Sequence, residues 1–348
     1  MFPIYQNDGT ISESLSETQI KYLCLIKEHI SNGKLHLIPN KCLCNNNNSY
    51  RDVVIAEIDR YSLPIPSVIC SKCGLVRSAV IFDNESNINF YTNFYRGLYY
   101  NSEHVDELFF ADQVARGIVI FNKLRNIIDI NNIKNLLEIG CGAGGIMYEF
   151  HKNGINCVGV DFDENYLAFG KAKGLAPLNG NYDELIQNDS QSAILLSHVL
   201  EHFNEPVHEL IKICKKLKPN GYLIVEVPGL FNVRKVYYNP ILYFQNAHIY
   251  NFFKAYLDVL FKNIKLNIIY GDESCFYVLQ KPEGWDSGCK DVIYDPELSK
   301  YPKKIKWYFI VTYILYKLKI KPNAARTLLV SIISYLGLKN IIKRIIKK

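Results

Sequence analysis

The segment Glu138-Ile139-Gly140-Cys141-Gly142-Ala143-Gly144-Gly145 constrains this chain more than any other. An apolar run precedes it and a stretch with helical spacing follows. Glycines are needed where a backbone turns sharply from strand to helix and a ligand approaches within contact distance. Asp161 lies 21 residues after Gly140, at the end of the next apolar run, Val158-Gly159-Val160-Asp161. A carboxylate there can accept two hydrogen bonds from a ribose diol. The pair predicts a nucleoside held at the carboxyl edge of a parallel sheet.

The surrounding pattern agrees. Leu136–Ile139, Cys157–Val160, Ala176–Leu178, Ala193–Leu196 and Tyr222–Val227 read as strands. Helical stretches at 144–153, 164–173 and 205–217 alternate with them, and His248–Phe261 reads as a further helix. Two last strands are expected at Leu266–Ile269 and Cys275–Leu279. Strands alternating with helices predict an α/β, Rossmann-like, doubly wound and mostly parallel sheet of seven strands.

A glycine triplet also satisfies the dinucleotide fingerprint, so NAD(P) is the rival ligand. Three features oppose it. Glu138 places a carboxylate where a pyrophosphate would be repelled. The fourth strand runs out into Ser197-His198-Val199-Leu200-Glu201-His202-Phe203. A Lys218-Pro219-Asn220-Gly221 turn leads into the fifth. Together these motifs resemble the class I S-adenosylmethionine-dependent methyltransferases over Asn135 to Lys281. That resemblance implies roles residue by residue. Gly140, Cys141, Gly142 and Gly144 pass under the methionine and ribose, and Glu138 meets the amino group. Asp161 holds the ribose hydroxyls, Phe162 lies beside the adenine, and Asn181 and Tyr182 add adenine contacts. Ser197 and His198 line the sulfonium end. Cys141 is not expected to be a nucleophile.

Methyl transfer from a sulfonium is an in-line displacement, served mainly by proximity and alignment. A hydroxyl acceptor also needs a base near neutrality, which points to histidine. His198 and His248 are the candidates, with His202 expected to cap the join after the fourth strand. Some quinone-pathway and RNA methyltransferases carry a metal-binding Glu-x-x-Glu-His motif here. This chain has His198 in place of the first glutamate, which argues against magnesium.

Upstream, Cys42-Leu43-Cys44 and Cys70-Ser71-Lys72-Cys73 are separated by 25 residues, with Gly74 after the second pair. Four thiolates suit a closed, structural, tetrahedral zinc. With Asp59–Pro64, Val68–Val76, Phe94–Tyr99 and Gln113–Gly117, this region resembles the zinc-knuckle leader of bacterial methyltransferases that modify surface polysaccharides and sugars. The resemblance implies O-methylation of a sugar, a nucleotide-sugar or a saccharide-linked acceptor. A sugar C-methyltransferase, an NAD(P)-dependent sugar oxidoreductase and a non-catalytic zinc-containing module are the alternatives. Tyr95, Arg96 and Tyr99 are candidates for a lid.

Charge is divided unevenly. Ser299–Lys348 holds 13 basic and no acidic residues, which leaves 27 basic against 34 acidic, or −7, over residues 1–298. A basic tail on an acidic body disfavours nucleic acid as partner. Its apolar runs, Trp307–Tyr316 and Thr327–Leu338, are shorter than the roughly 20 residues a membrane span needs. They fit packing on the domain or peripheral contact with an anionic membrane. The N-terminal residues show no basic start followed by an apolar run, so the cytoplasm is the expected compartment, with the inner membrane face as a variant. The organisation expected is a leader helix (1–40), a zinc knuckle (41–85), an aromatic and helical cap (86–130), the catalytic domain (131–282) and a basic helical extension (283–348). The sequence leaves the oligomeric state open.

Overall fold

A computed structural model describes residues 4–6, 14–100, 105–288 and 292–320. The leader helix is α1 (Glu17–Ser31). Ser16 accepts from the Gln19 N–H while the Gln19 side chain accepts from the Ser16 N–H, a reciprocal cap. β1 (Leu37–Pro39) pairs antiparallel with β5 (Val80–Phe82). Between them lies a small antiparallel sheet of β2 (Val53–Ala56), β3 (Ser67–Ile69) and β4 (Val76–Ser78). The cap follows as α2 (Asn84–Asn93), α3 (Tyr95–Tyr99) and α4 (Glu107–Arg125).

The second half contains β6 (Asn135–Ile139), α5 (Gly145–Lys152), β7 (Asn156–Asp161), α6 (Glu164–Ala172) and β8 (Pro177–Asn179). It continues with α7 (Tyr182–Leu185), β9 (Gln191–Ser197), α8 (Pro206–Lys216) and β10 (Leu217–Glu226). After α9 (Val233–Val236) come β11 (Tyr250–Asn251), α10 (Lys254–Asn263), β12 (Asn267–Gly271), β13 (Phe276–Gln280) and α11 (Tyr301–Lys317). The seven-stranded sheet has the order β12-β13-β10-β9-β6-β7-β8. Its pairings are parallel from β10 to β8, and β13 is antiparallel to both neighbours. The strand order reverses between β6 and β9, where ligands of such sheets bind. This is the doubly wound sheet predicted from the sequence.

Close approach locks the cap to the sheet. A Cβ on Gly145 would lie 2.5 Å from Gln113 Cβ and 2.9 Å from the Phe110 carbonyl. Only glycine lets α4 lie this close to the N-terminus of α5.

One expected element is corrected. His248 does not open a helix. Tyr250 and Asn251 instead form β11 and pair with Arg77 and Val76 of the small sheet, so α10 begins only at Lys254. The Ser78 N–H donates to the Ile249 carbonyl, and the Ile249 N–H donates to the Glu201 carbonyl. Backbone pairing to a distant strand overrides the helical spacing of 248–261.

The basic extension divides into two parts. Residues 321–348, and with them the whole second apolar run, lie outside the described residues. α11 buries Ile305, Phe309 and Thr312 on one face, and Phe309 meets Phe244 at 5.3 Å between ring centroids. The same apolar core includes the four cysteines and the β9–β10 region.

Candidate active site

The glycine loop leaves β6 with positive φ at Gly140, Gly142 and Gly144. At Gly140 a Cβ would also come within 2.8 Å of a Val199 methyl, so both backbone and space require glycine there. The loop closes on the next strand through Asp161. Its Oδ2 accepts from the Gly142 N–H at 2.8 Å, and its Oδ1 accepts from the Phe162 and Asp163 N–H groups at 2.8 and 3.0 Å. Phe162 is 71% exposed, although it is a large apolar residue. Its ring is thus available to a planar ligand.

Glu138 points into the fold. It is buried, and its Oε2 accepts from the Met147 N–H at 3.0 Å. Burial pushes its carboxyl up to about 8, against the Met147 hydrogen bond and the Arg116 charge. Asn181 caps α7 by accepting from the Asp183 N–H. Tyr182, the other expected adenine contact, packs inward. Its ring is buried and its hydroxyl donates to Glu209 on α8. Cys141 is buried, and its thiol is pushed up by that burial, in keeping with a residue that is not a nucleophile.

The second edge of the site lies at the tips of β9 and β10. Ser197 donates to Glu226 Oε2 at 3.1 Å, and Arg116 from α4 reaches the same oxygen at 2.8 Å. His198 follows with φ +56, a conformation uncommon for a residue with a side chain. Beyond it, three histidines surround one carboxylate. Glu201 Oε1 lies 3.5 Å from His198 Nδ1, 3.8 Å from His248 Nε2 and 4.0 Å from His202 Nε2. The Glu201 side chain is 1% exposed, and neither of its oxygens has a hydrogen-bond partner. Burial holds all three imidazoles below their usual range and raises Glu201 to about 8. His202 Nδ1 donates to the Ala247 carbonyl at 2.8 Å. It is therefore more than a cap, because this bond leaves Nε2 unprotonated and facing Glu201.

The aromatic strip lies across these two edges. The Tyr91 hydroxyl is 3.0 Å from His202 Nδ1, and Tyr99 donates to Asn246 Oδ1 at 2.6 Å. Arg96 donates to Asp163 at 3.2 Å, comes within 3.8 Å of Asp161 and stacks 3.9 Å from the Tyr166 ring centroid. Of the lid candidates, Arg96 comes near Asp161, the carboxylate expected to meet a ribose. Arg116, Glu226 and Tyr91 lie within segments the sequence singled out, but nothing in it assigned them a role, since they meet the site across elements.

The four predicted cysteines converge as well. Cys42–Cys73, Cys42–Cys44 and Cys44–Cys70 are each 3.5 Å apart between sulfurs, and all four residues are buried. Tetrahedral zinc with bonds of about 2.3 Å places thiolates about 3.8 Å apart, so this donor set fits the ion. The Leu75 N–H points at Cys73 Sγ at 3.5 Å, and the Gly74 N–H donates to the Cys70 carbonyl. These bonds turn the backbone around the sulfurs.

Comparison with known proteins agrees with the strand order. A family model described as a methyltransferase domain matches residues 104–270. Over those residues the chain is similar to a methyltransferase domain, and its seven-stranded sheet is the Rossmann-like α/β fold expected of one. A ubiquinone biosynthesis O-methyltransferase of Rickettsia conorii is 26% identical over 30% of this chain and 37% of its own length. A protein bearing a methyltransferase name in Geobacillus sp. (strain WCH70) is 28% identical over 31% of this chain and 48% of its own. The chain thus spans less than half the length of these curated relatives. Among solved structures, an S-adenosylmethionine-dependent methyltransferase from Archaeoglobus fulgidus is 18% identical. The alignment covers 58% of this chain and 93% of that one, with a TM-score of 0.37.

Proposed function

We propose that this protein methylates a hydroxyl of a sugar, a nucleotide-sugar or a lipid-linked saccharide. The observation that carries the reading is the meeting of two edges on one sheet. A glycine loop tied to Asp161 lies at one strand tip, and a buried histidine cluster lies at another. S-adenosylmethionine would supply the methyl group on its sulfonium. Gly140, Cys141, Gly142 and Gly144 would pass beneath it, Asp161 would accept from its ribose, and Phe162 would cover its base. Asn181 stands beyond β8 as a further contact. Glu138 would face the cofactor's ammonium, which would favour its ionised form. This carboxylate also weighs against NAD(P), whose pyrophosphate would meet negative charge.

His198 and His248 are the candidate bases, and burial favours the neutral form of His248, the state in which a base can take a proton. The O-methyltransferase name of the Rickettsia relative supports a hydroxyl acceptor. The four-cysteine cluster supports a structural zinc, whose closed coordination leaves the chemistry to the other half. α11 supports peripheral attachment to an anionic membrane at the cytoplasmic face. Trp307, Val311, Ile314 and Leu318 form an exposed apolar stripe, flanked by Lys303, Lys304, Lys317 and Lys319. Among the described residues no helix is long and apolar enough to cross a membrane.

The test is transfer of labelled methyl from S-adenosylmethionine to fractionated saccharides and glycolipids. Label in a base-stable saccharide ether supports the proposal. Label confined to sugar carbon would move the protein to the C-methyltransferase alternative.

A further inference from the structure

The small antiparallel sheet has two unlike faces. Ile69 and Val76 are buried in the core that also holds the four cysteines. Their sequence neighbours Val68 and Arg77 belong to the opposite face, because side chains alternate along a strand. Val54, Val68 and Arg77 stand in register across β2, β3 and β4. They line a cavity of about 580 Å³, within the size range of small-molecule sites. The run Asn45–Asn47 forms part of its wall, and the exposed Lys41 and Tyr50 complete it. None of the lining residues belongs to the seven-stranded sheet or to the glycine loop.

One donor among these residues is unsatisfied. The Arg77 side chain is 4% exposed. Its Nε donates to the Asn40 carbonyl at 3.2 Å and its Nη2 to Asp52 Oδ2 at 2.9 Å, while Nη1 has no partner. A buried nitrogen without an acceptor is uncommon and calls for one from outside. The other Asp52 oxygen is already committed, because Oδ1 accepts from the Ser71 N–H, the Ser71 hydroxyl and the Asn46 amide. Asp52 balances the Arg77 charge. Lys41 has no ion-pair partner among the described residues, so the cavity is left with one uncompensated positive charge. The side-chain carboxamides of Asn45 and Asn47 are likewise uncommitted among the described residues.

We propose that this cavity binds one acidic sugar unit, apart from the methyl-transfer site. A sugar hydroxyl both donates and accepts, as a carboxamide does. Tyr50 is 76% exposed and offers its ring to the apolar face of a pyranose. The carboxylate or phosphate of the sugar meets Lys41 and accepts from Arg77 Nη1 in a charge-assisted bond. An apolar ligand would leave Arg77 Nη1 bare, and a neutral sugar would leave Lys41 without a counter-charge. That the unit belongs to the methyl acceptor rests on the proposed function. Arg77 pairs with Tyr250 of β11, two residues after His248, so the cavity and the histidine cluster are joined by one short strand.

The experiment titrates the full chain, without cofactor, with tetragalacturonate, with glucose 1-phosphate and with uncharged maltotetraose. A charged probe is expected to bind about tenfold or more tightly than maltotetraose. Binding of tetragalacturonate alone would assign the anion to a uronate carboxylate, and binding of glucose 1-phosphate alone would assign it to a sugar phosphate. Tyr50→Ala and Lys41→Gln change exposed side chains, so Tm should hold. Each is expected to weaken charged-probe binding by about fivefold or more. Failure of both charged probes to bind, equal binding of maltotetraose, or binding that both variants leave unchanged would overturn the proposal. The labelled-methyl assay is read separately. Charged-probe binding without saccharide methylation would refute the acceptor reading and keep the site, and saccharide methylation without such binding would do the reverse.

Discussion

The two edges of the site are built from different materials. The cofactor edge is made largely of backbone. Asp161 is satisfied by three N–H groups within a span of 22 residues, from Gly142 to Asp163. The acceptor edge is made of side chains from separate segments, and its central carboxylate has no hydrogen-bond partner. The first is a finished cradle whose ligand brings few new demands. The second is an assembly of side chains, and it depends on the four-cysteine half for its shape. β11 carries His248 into place by pairing with β4, three residues beyond Cys73.

That dependence gives the largest expected effect. Cys70→Ser should abolish bound zinc and destabilise the chain by more than about 4 kcal/mol, because the cysteines share one core with β9 and β10. Metal analysis with thermal unfolding checks this. A zinc-free variant with unchanged Tm would separate the two halves.

The cofactor edge should respond more locally. Asp161→Ala is expected to weaken S-adenosylhomocysteine binding by about 1–3 kcal/mol and to lower Tm as well, because it also unties the Gly142, Phe162 and Asp163 N–H groups. Equal affinity would remove Asp161 from the ribose.

A smaller effect concerns pH. Burial raises Glu138 to about 8 in the free protein, so the acid is largely protonated at neutrality. If it meets the cofactor's ammonium, binding releases that proton. Affinity should then rise with pH by at most about tenfold per unit, levelling off above about 8. The same shift has the opposite sign for the empty protein. Glu138 contributes stability that is present below its unfolded value of about 4.5 and lost as pH rises through about 8. Calorimetry in buffers of different ionisation enthalpy would detect the proton, and pH-independent binding would place the ammonium elsewhere.

The smallest expected change lies away from both edges. Trp307→Ser should reduce sedimentation with anionic vesicles by about 1–2 kcal/mol without altering cofactor affinity. Equal sedimentation would assign the α11 stripe to another role.

The contrast between the edges also explains what the sequence could reveal. Gly140 to Asp161 is a local code, in which turn, strand and carboxylate lie at fixed spacing. The alternation of strands and helices and the loop could therefore be read directly. Ser16, as a reciprocal cap, is local in the same way. The acceptor edge has no such code. Glu201 and His202 adjoin, but His248 arrives through a two-residue strand whose partner lies more than 170 positions upstream. Its helical spacing pointed elsewhere. Tyr182 shows the converse, because its position after β8 suited an adenine contact while a hydrogen bond to Glu209 drew the ring into the core. Arg116 and Arg96 act through charge across elements, which spacing along one element does not encode.

The central claim is that the glycine loop and Asp161 hold S-adenosylmethionine. Titration of the purified chain with S-adenosylhomocysteine and, separately, with NAD tests it most directly. The account predicts micromolar binding of the first and none of the second, with the first weakened in Asp161→Ala. Binding of NAD, or of neither ligand, would contradict it.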